Sequence, residues 1–99
     1  MQFLTLCRRR TETFADADFA TLIDDEIQRA RALYVDGFIR QIWHRGDILG
    51  ACILVEADSE EHAREVLETL PLVEAGMLEI TIIPLKPYAG FGPRMTIKG

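Results

Sequence analysis

Apolar and polar positions along the chain fall into two rhythms. From Gln2 to Arg8 (QFLTLCR) the residues have strand character, and Thr11 to Asp18 supplies a polar connection. Between Phe19 and Tyr34, the apolar residues Phe19, Leu22, Ile23, Ala30, Leu33 and Tyr34 recur at helical spacing. Asp16 and Asp18 are candidate N-caps for this helix and Gly37 is a natural stop. FIRQIWHR (38–45) then reads as a second strand, with Gly46-Asp47 as a turn signal. ILGACILVEA (48–57) reads as a third strand, apolar on both sides, so both its faces are expected to be buried. Ser59, Glu60 and Glu61 mark the start of a second helix, with negative charge where the helix dipole favours it. Its inner stripe is Ala63, Val66, Leu67 and Leu70, and Pro71 is expected to end it. MLEITIIPL (77–85) is the fourth strand. The tail, KPYAGFGPRMTIKG (86–99), is rich in glycine and proline and predicts little regular structure.

This order, β-α-β-β-α-β, predicts an α+β ferredoxin-like domain over residues 1–85. Its four-stranded antiparallel sheet carries both helices on one face, and the chain itself leaves the other face bare. A third strand that is apolar on both sides needs something apolar against that second face, and another copy of the sheet is the simplest cover. A homodimer or higher homo-oligomer is therefore expected, with the tail at 86–99 lying on a neighbouring subunit.

Composition narrows the function. Ninety-nine residues, 48% hydrophobic and 27% charged, make one ordinary globular domain, too small to enclose a large pocket alone. The net charge of −5 argues against binding nucleic acid, which calls for a basic face. The run Arg8-Arg9-Arg10 is the local exception and reads as a charged strand end rather than an anion site. No apolar run is long enough to cross a membrane, so no membrane partner is expected. Cys7 and Cys52 lack a metal-ligand spacing and read as reduced, small core residues of a cytoplasmic protein; no metal is expected.

Two features break the simple patterns. In the second strand each face mixes apolar with polar groups: Phe38, Arg40, Ile42 and His44 on one, Ile39, Gln41, Trp43 and Arg45 on the other. On the first helix, Glu26 shares a side with Leu22, Ile23, Ala30 and Leu33, whereas Asp24, Asp25, Gln28 and Arg31 point away. An inward carboxylate needs a cation, a hydrogen-bond donor or a raised pKa. Arg40 or His44 could serve it as part of a proton-transfer site; a structural ion pair of Glu26 with Arg40 or Arg29 is the plainer alternative. Trp43 reads as packing, and His62, among charges on the second helix, carries no assigned role.

Asp25-Glu26, the Gly37, Arg40 and Trp43 of GFIRQIW, and Leu70-Pro71-Leu72 together give the chain a resemblance to the muconolactone isomerase family, whose members are dimeric α+β barrels. The combination, rather than any single piece, carries it, and it runs from Asp25 to Leu72. The resemblance implies a cofactor-independent isomerase that moves a proton in an unsaturated lactone or enone small-molecule substrate. On that reading Glu26 carries the proton, Arg40 stabilises the enolate and His44 is an auxiliary acid or base. Trp43, Arg29, Phe38, Leu70 and Met77 are the candidate substrate contacts. Departures from the family pattern at His44, Ile48, Ala51 and Val73–Met77 imply a less cationic pocket and a larger, less charged ring compound, from aromatic catabolism or secondary metabolism. Two other readings use the same scaffold: a cofactor-free cyclase or monooxygenase of an aromatic or polyketide-type substrate, and a non-catalytic ligand-binding or accessory protein.

Overall fold

A computed structural model describes residues 1–91. Strand β1 (Gln2–Arg9) is followed by a short helix α1 (Asp16–Ala20) and a long one, α2 (Ile23–Val35). A hairpin of β2 (Ile39–His44) and β3 (Gly50–Glu56) comes next. Helix α3 (Glu60–Leu67), the single turn α4 (Pro71–Glu74) and strand β4 (Leu78–Pro84) complete the domain. The sheet order is β2-β3-β1-β4, antiparallel throughout, which is the ferredoxin-like arrangement the element order predicts.

Period-two alternation decides which side chains meet the helices. Phe3, Thr5 and Cys7 of β1 stand level with Val55, Ile53 and Ala51 of β3. With Ile39, Ile82, Leu33, Ala63, Leu67 and Leu70 they build the main core between sheet and helices. A second cluster of Phe19, Leu72 and Met77 seals the end where α1 meets α4. Thr5, fully buried at the centre of β1, has a hydroxyl without a hydrogen-bond partner among the described residues, a local cost to the fold.

Two glycines are required by backbone geometry. Gly37 (φ 87°) ends α2 in a Schellman motif: its N–H donates to the Tyr34 carbonyl and the Phe38 N–H donates to the Leu33 carbonyl, with Leu33 and Phe38 both in the core. Gly50 (φ 155°) opens β3 so close to β1 that a Cβ there would lie 1.9 Å from the Cys7 carbonyl oxygen.

The structure corrects several boundaries. The helix expected from Phe19 to Tyr34 is broken at Thr21–Leu22, because Phe19 packs with Leu72 and Met77 while the α2 stripe faces the sheet. Neither aspartate is its N-cap: Ala15 is, and Asp18 reaches back to accept the Ala15 N–H at 2.8 Å. Tyr34 is solvent-exposed rather than part of the apolar stripe. Ser59 caps α3 as expected, accepting the His62 N–H. Pro71 does more than end a helix: it occupies the first turn of α4, where a missing N–H costs nothing. Ile48 and Leu49, assigned to β3 by sequence, are exposed in the hairpin turn. Cys7 and Cys52 are free thiols on adjacent strands; Cys7 is level with Ala51, so the two cysteines face opposite sides of the sheet.

Candidate functional site

Glu26 sits in the first turns of α2 on its inward side, next to half-buried Leu22, Ile23 and Ala30. Its Oε1 accepts the backbone N–H of Leu72 at 3.0 Å. That donor exists because α4 is a single turn starting at Pro71, whose amides have no partner within the turn. One helical turn further along α2, Arg29 Nε donates to Thr69 Oγ1 at 2.9 Å. Two side chains of α2 thus grip the α3–α4 connection side by side.

Burial pushes the Glu26 pKa up from its ordinary 4.5, and the Leu72 amide and the charge of Arg9 only partly offset it. Burial also pushes the nearby Cys7 thiol up to about 12, with the Glu26 charge and then Cys52 adding to the effect, so Cys7 is a neutral neighbour. Arg9 continues the helix-facing series Phe3, Thr5, Cys7 along β1, and its guanidinium lies over the Phe19 ring, 4.8 Å from the centroid. Among the described residues, the half-buried carboxyl is thus influenced by a neutral donor at Leu72 and the positive charge of Arg9, with the neutral Cys7 thiol nearby. Such a group can exchange a proton nearer to neutrality than an exposed glutamate does.

The other candidates divide into three places. His44 pairs with Ala51 and lies level with Cys7, two strands away, on the side of the sheet that carries the helices. It shares Glu26's end of the domain at roughly 10 Å from Cys7, given strand spacings near 4.8 Å. Arg40 does not. It is unpaired at the bulge between Ile39 and Gln41, level with Phe3 rather than Cys7, and its charge acts on Glu56. Four strand residues, roughly 13 Å, separate those levels. The ion pair of Glu26 with Arg40 or Arg29 is accordingly not formed: the Leu72 amide donates to the Glu26 carboxyl, and Arg29 is turned to the Thr69 hydroxyl. Arg29, Phe38 and Arg40 together line an open depression at the far end of α2. Trp43 projects from the opposite face of the sheet, level with Cys52, half exposed. Leu70 and Met77 are fully enclosed packing residues.

Sequence reasoning missed Arg9 and the Leu72 amide. Strict alternation along Phe3-Leu4-Thr5-Leu6-Cys7-Arg8-Arg9 was the available signal, since it puts Arg9 on the core side and Arg8 on the other. Arg8 indeed pairs with Glu12 at 3.0 Å and Glu79 at 3.4 Å, whereas Arg10 donates to the Gly76 carbonyl at 2.7 Å. No sequence signal announces a backbone amide.

The family model for muconolactone delta-isomerase matches residues 1–90. The chain belongs to the muconolactone delta-isomerase family. Among solved structures, a muconolactone isomerase superposes with a TM-score of 0.76 at 20% identity, covering 95% of this chain and 97% of that one. The 5-chloro-2-hydroxyhydroquinone dehydrochlorinase of Burkholderia phenoliruptrix AC1100, in complex with 2,5-dihydroxybenzoquinone, matches with a TM-score of 0.64 at 18% identity. That match covers 87% of this chain and 94% of the dehydrochlorinase. No curated protein sequence matches. Within this muconolactone delta-isomerase family member, Glu26 and Leu70-Pro71-Leu72, two of the pieces that carried the sequence resemblance, meet in one hydrogen bond.

The raised pKa of Glu26 has a stability consequence whose sign is fixed. Between the ordinary value and the folded value, the native state keeps a proton that the unfolded chain has released, so the carboxyl's contribution to stability falls as pH rises through that window. Glu26→Gln retains an acceptor for the Leu72 amide and carries no charge. Its melting temperature relative to wild type should therefore increase from pH 4 toward pH 7 (roughly the carboxylate-to-neutral range). Glu26→Ala should instead lose about 1 kcal/mol by orphaning the amide. Thermal melts of the three proteins across that pH range measure both effects.

Proposed function

We propose that this protein is a cofactor-independent isomerase that relocates a proton within an unsaturated lactone or enone, with Glu26 as the proton carrier. The membership of the muconolactone delta-isomerase family supports the reaction class. The single observation that carries the residue assignment is a half-buried carboxyl held by one backbone N–H and without an ion pair among the described residues, so that burial raises its pKa. Glu26 as carboxylate takes the acidic proton next to the carbonyl; the electron pair of that C–H bond delocalises to the carbonyl oxygen. The Glu26 carboxylic acid then returns the proton at the far carbon of the conjugated system, which leaves the double bond shifted and the enzyme unchanged. A positioned base of this kind contributes on the order of 10²–10⁴-fold.

Enolate charge needs a donor already in place. Arg40 was the residue that the family resemblance nominated, but among the described residues it is the Arg9 charge that acts on Glu26. We therefore assign the enolate to Arg9. His44, at the same end of the helix-covered layer, serves as the auxiliary acid or base. A second reading takes its support from the dehydrochlorinase neighbour: the same proton removal followed by loss of chloride from an oxygenated ring.

The bare face of the sheet presents Leu4, Leu6, Trp43, Cys52, Leu54 and Ile83, with Trp43 50% and Ile83 38% exposed. Covering it with a second copy accounts for these positions and for a site too small to complete alone. Light scattering is expected to give a mass of at least twice the 11.2 kDa chain, and a monomer would remove the dimer.

Catalysis is tested by incubating the protein with a panel of butenolides and enones in heavy water and reading deuterium incorporation by mass spectrometry. Wild type should label at least one of them, Glu26→Gln should lower the rate by about 10²-fold or more, and Arg9→Gln should lower it while leaving Glu26 able to exchange. Labelling that is unaffected by Glu26→Gln rules the carboxyl out as carrier.

A further inference from the structure

The open depression at the far end of α2, with a volume of about 520 Å³, is lined by Arg29, Leu33, Phe38, Arg40, His62 and Val66 among others. Its floor is apolar: Leu33 and Phe38 belong to the main core and Val66 packs against it. Its walls carry three nitrogen-bearing side chains. Arg29 is half-buried and held through Nε by the Thr69 hydroxyl, itself fixed by donating to the Val66 carbonyl at 2.6 Å. Nη1 and Nη2 of Arg29 have no partner among the described residues, which leaves a pre-oriented pair of donors. The Arg40 side chain, on the strand bulge, likewise has no hydrogen-bond partner among the described residues, and His62 on α3 lines the same groove.

We propose that this groove binds a small organic monocarboxylate with an apolar body, at a site separate from Glu26. The anchored guanidinium of Arg29 takes the carboxylate through two parallel N–H donors, Arg40 adds a second positive charge, and the apolar body lies on Phe38, Leu33 and Val66. The rim selects single charge. Asp36 and Glu56 border the groove, and Glu56 is already ion-paired with the Met1 amino group at 2.6 Å. A phosphate or a dicarboxylate would bring a further negative charge against that rim, where like charges repel. The inference does not rest on the isomerase reading: none of the groove residues other than Arg29 belongs to the seam around Glu26, and Arg29 reaches Thr69, not the carboxyl.

Benzoate is the probe, with benzamide as its uncharged counterpart, followed by amide chemical shifts of the isotopically labelled full chain. Benzoate should shift the amides of Gly37, Phe38, Arg40 and His62 in a saturable way, and benzamide should bind about tenfold or more weakly. Arg40→Gln, whose side chain supports no fold contact, should weaken benzoate by about tenfold. Arg29→Gln should abolish binding with the amide spectrum retained; if that spectrum collapses, Arg40→Gln decides alone. Glu26→Gln should bind benzoate within about twofold of wild type, even if it has lost all labelling activity, which separates the two sites. No saturable shift, equal affinity for benzamide, unchanged affinity in Arg40→Gln, or shifts centred on Cys7, Glu26 and Leu72 would each overturn the proposal.

Discussion

The hydrogen bond from the Leu72 amide to Glu26 is the constraint on which the rest of the arrangement turns. It ties the start of α2 to the single turn of α4 and, together with Arg29 on Thr69, holds α2 against the α3–α4 segment over one face of the sheet. A carboxyl in that seam is not solvated like a surface glutamate, and no ion pair among the described residues neutralises it. One backbone donor satisfies part of its hydrogen-bonding demand while burial still resists its charge. The same contact thus supplies structural cohesion and a group suited to proton transfer, and its single donor is what keeps those two roles compatible. A direct guanidinium partner would have lowered the carboxyl's pKa and left it a strut.

Around this seam the sheet register does the positioning. Cys7, Ala51 and His44 stand in one row beneath the start of α2, and two of the three are small side chains. Gly50, one residue before Ala51, lets β1 and β3 approach to a distance no side chain would permit. At the other end of α2 the row begins with Phe3, Val55 and Ile39, all large, and the bulge at Arg40 turns its guanidinium toward Glu56 and the open groove. One helix therefore separates an end where a carboxyl sits beside a thiol from an end where two arginines and two carboxylates border an apolar floor. The two ends differ in chemistry because the residues at the two levels of the strands differ in size and charge.

Much of this was legible in the sequence. The element order, the inward placement of Glu26, the stop at Gly37, the cap at Ser59 and the mixed second strand all follow from period and residue type. What escaped has physical reasons. A broken helix between Phe19 and Ile23 depends on where Phe19 finds its partners Leu72 and Met77, which are some fifty residues away in sequence. The distance between Glu26 and Arg40 depends on the helix running antiparallel to the strand that follows it, so a residue near the start of α2 meets the end of β2. His44 satisfies that geometry and Arg40 does not. The Leu72 donor belongs to the backbone and leaves no mark in residue identity. Arg9, by contrast, was hidden inside a run of three arginines whose alternating sides give each a different task.

The most direct test of the account is the titration of the Glu26 side-chain carboxyl itself, followed by carbon chemical shift in the full-length protein. The account predicts a midpoint above the ordinary glutamate value of 4.5 and a Leu72 amide proton whose shift moves with the same midpoint. A midpoint at or below 4.5, with the Leu72 amide insensitive to it, would contradict the half-buried, singly bonded carboxyl at the centre of the structure.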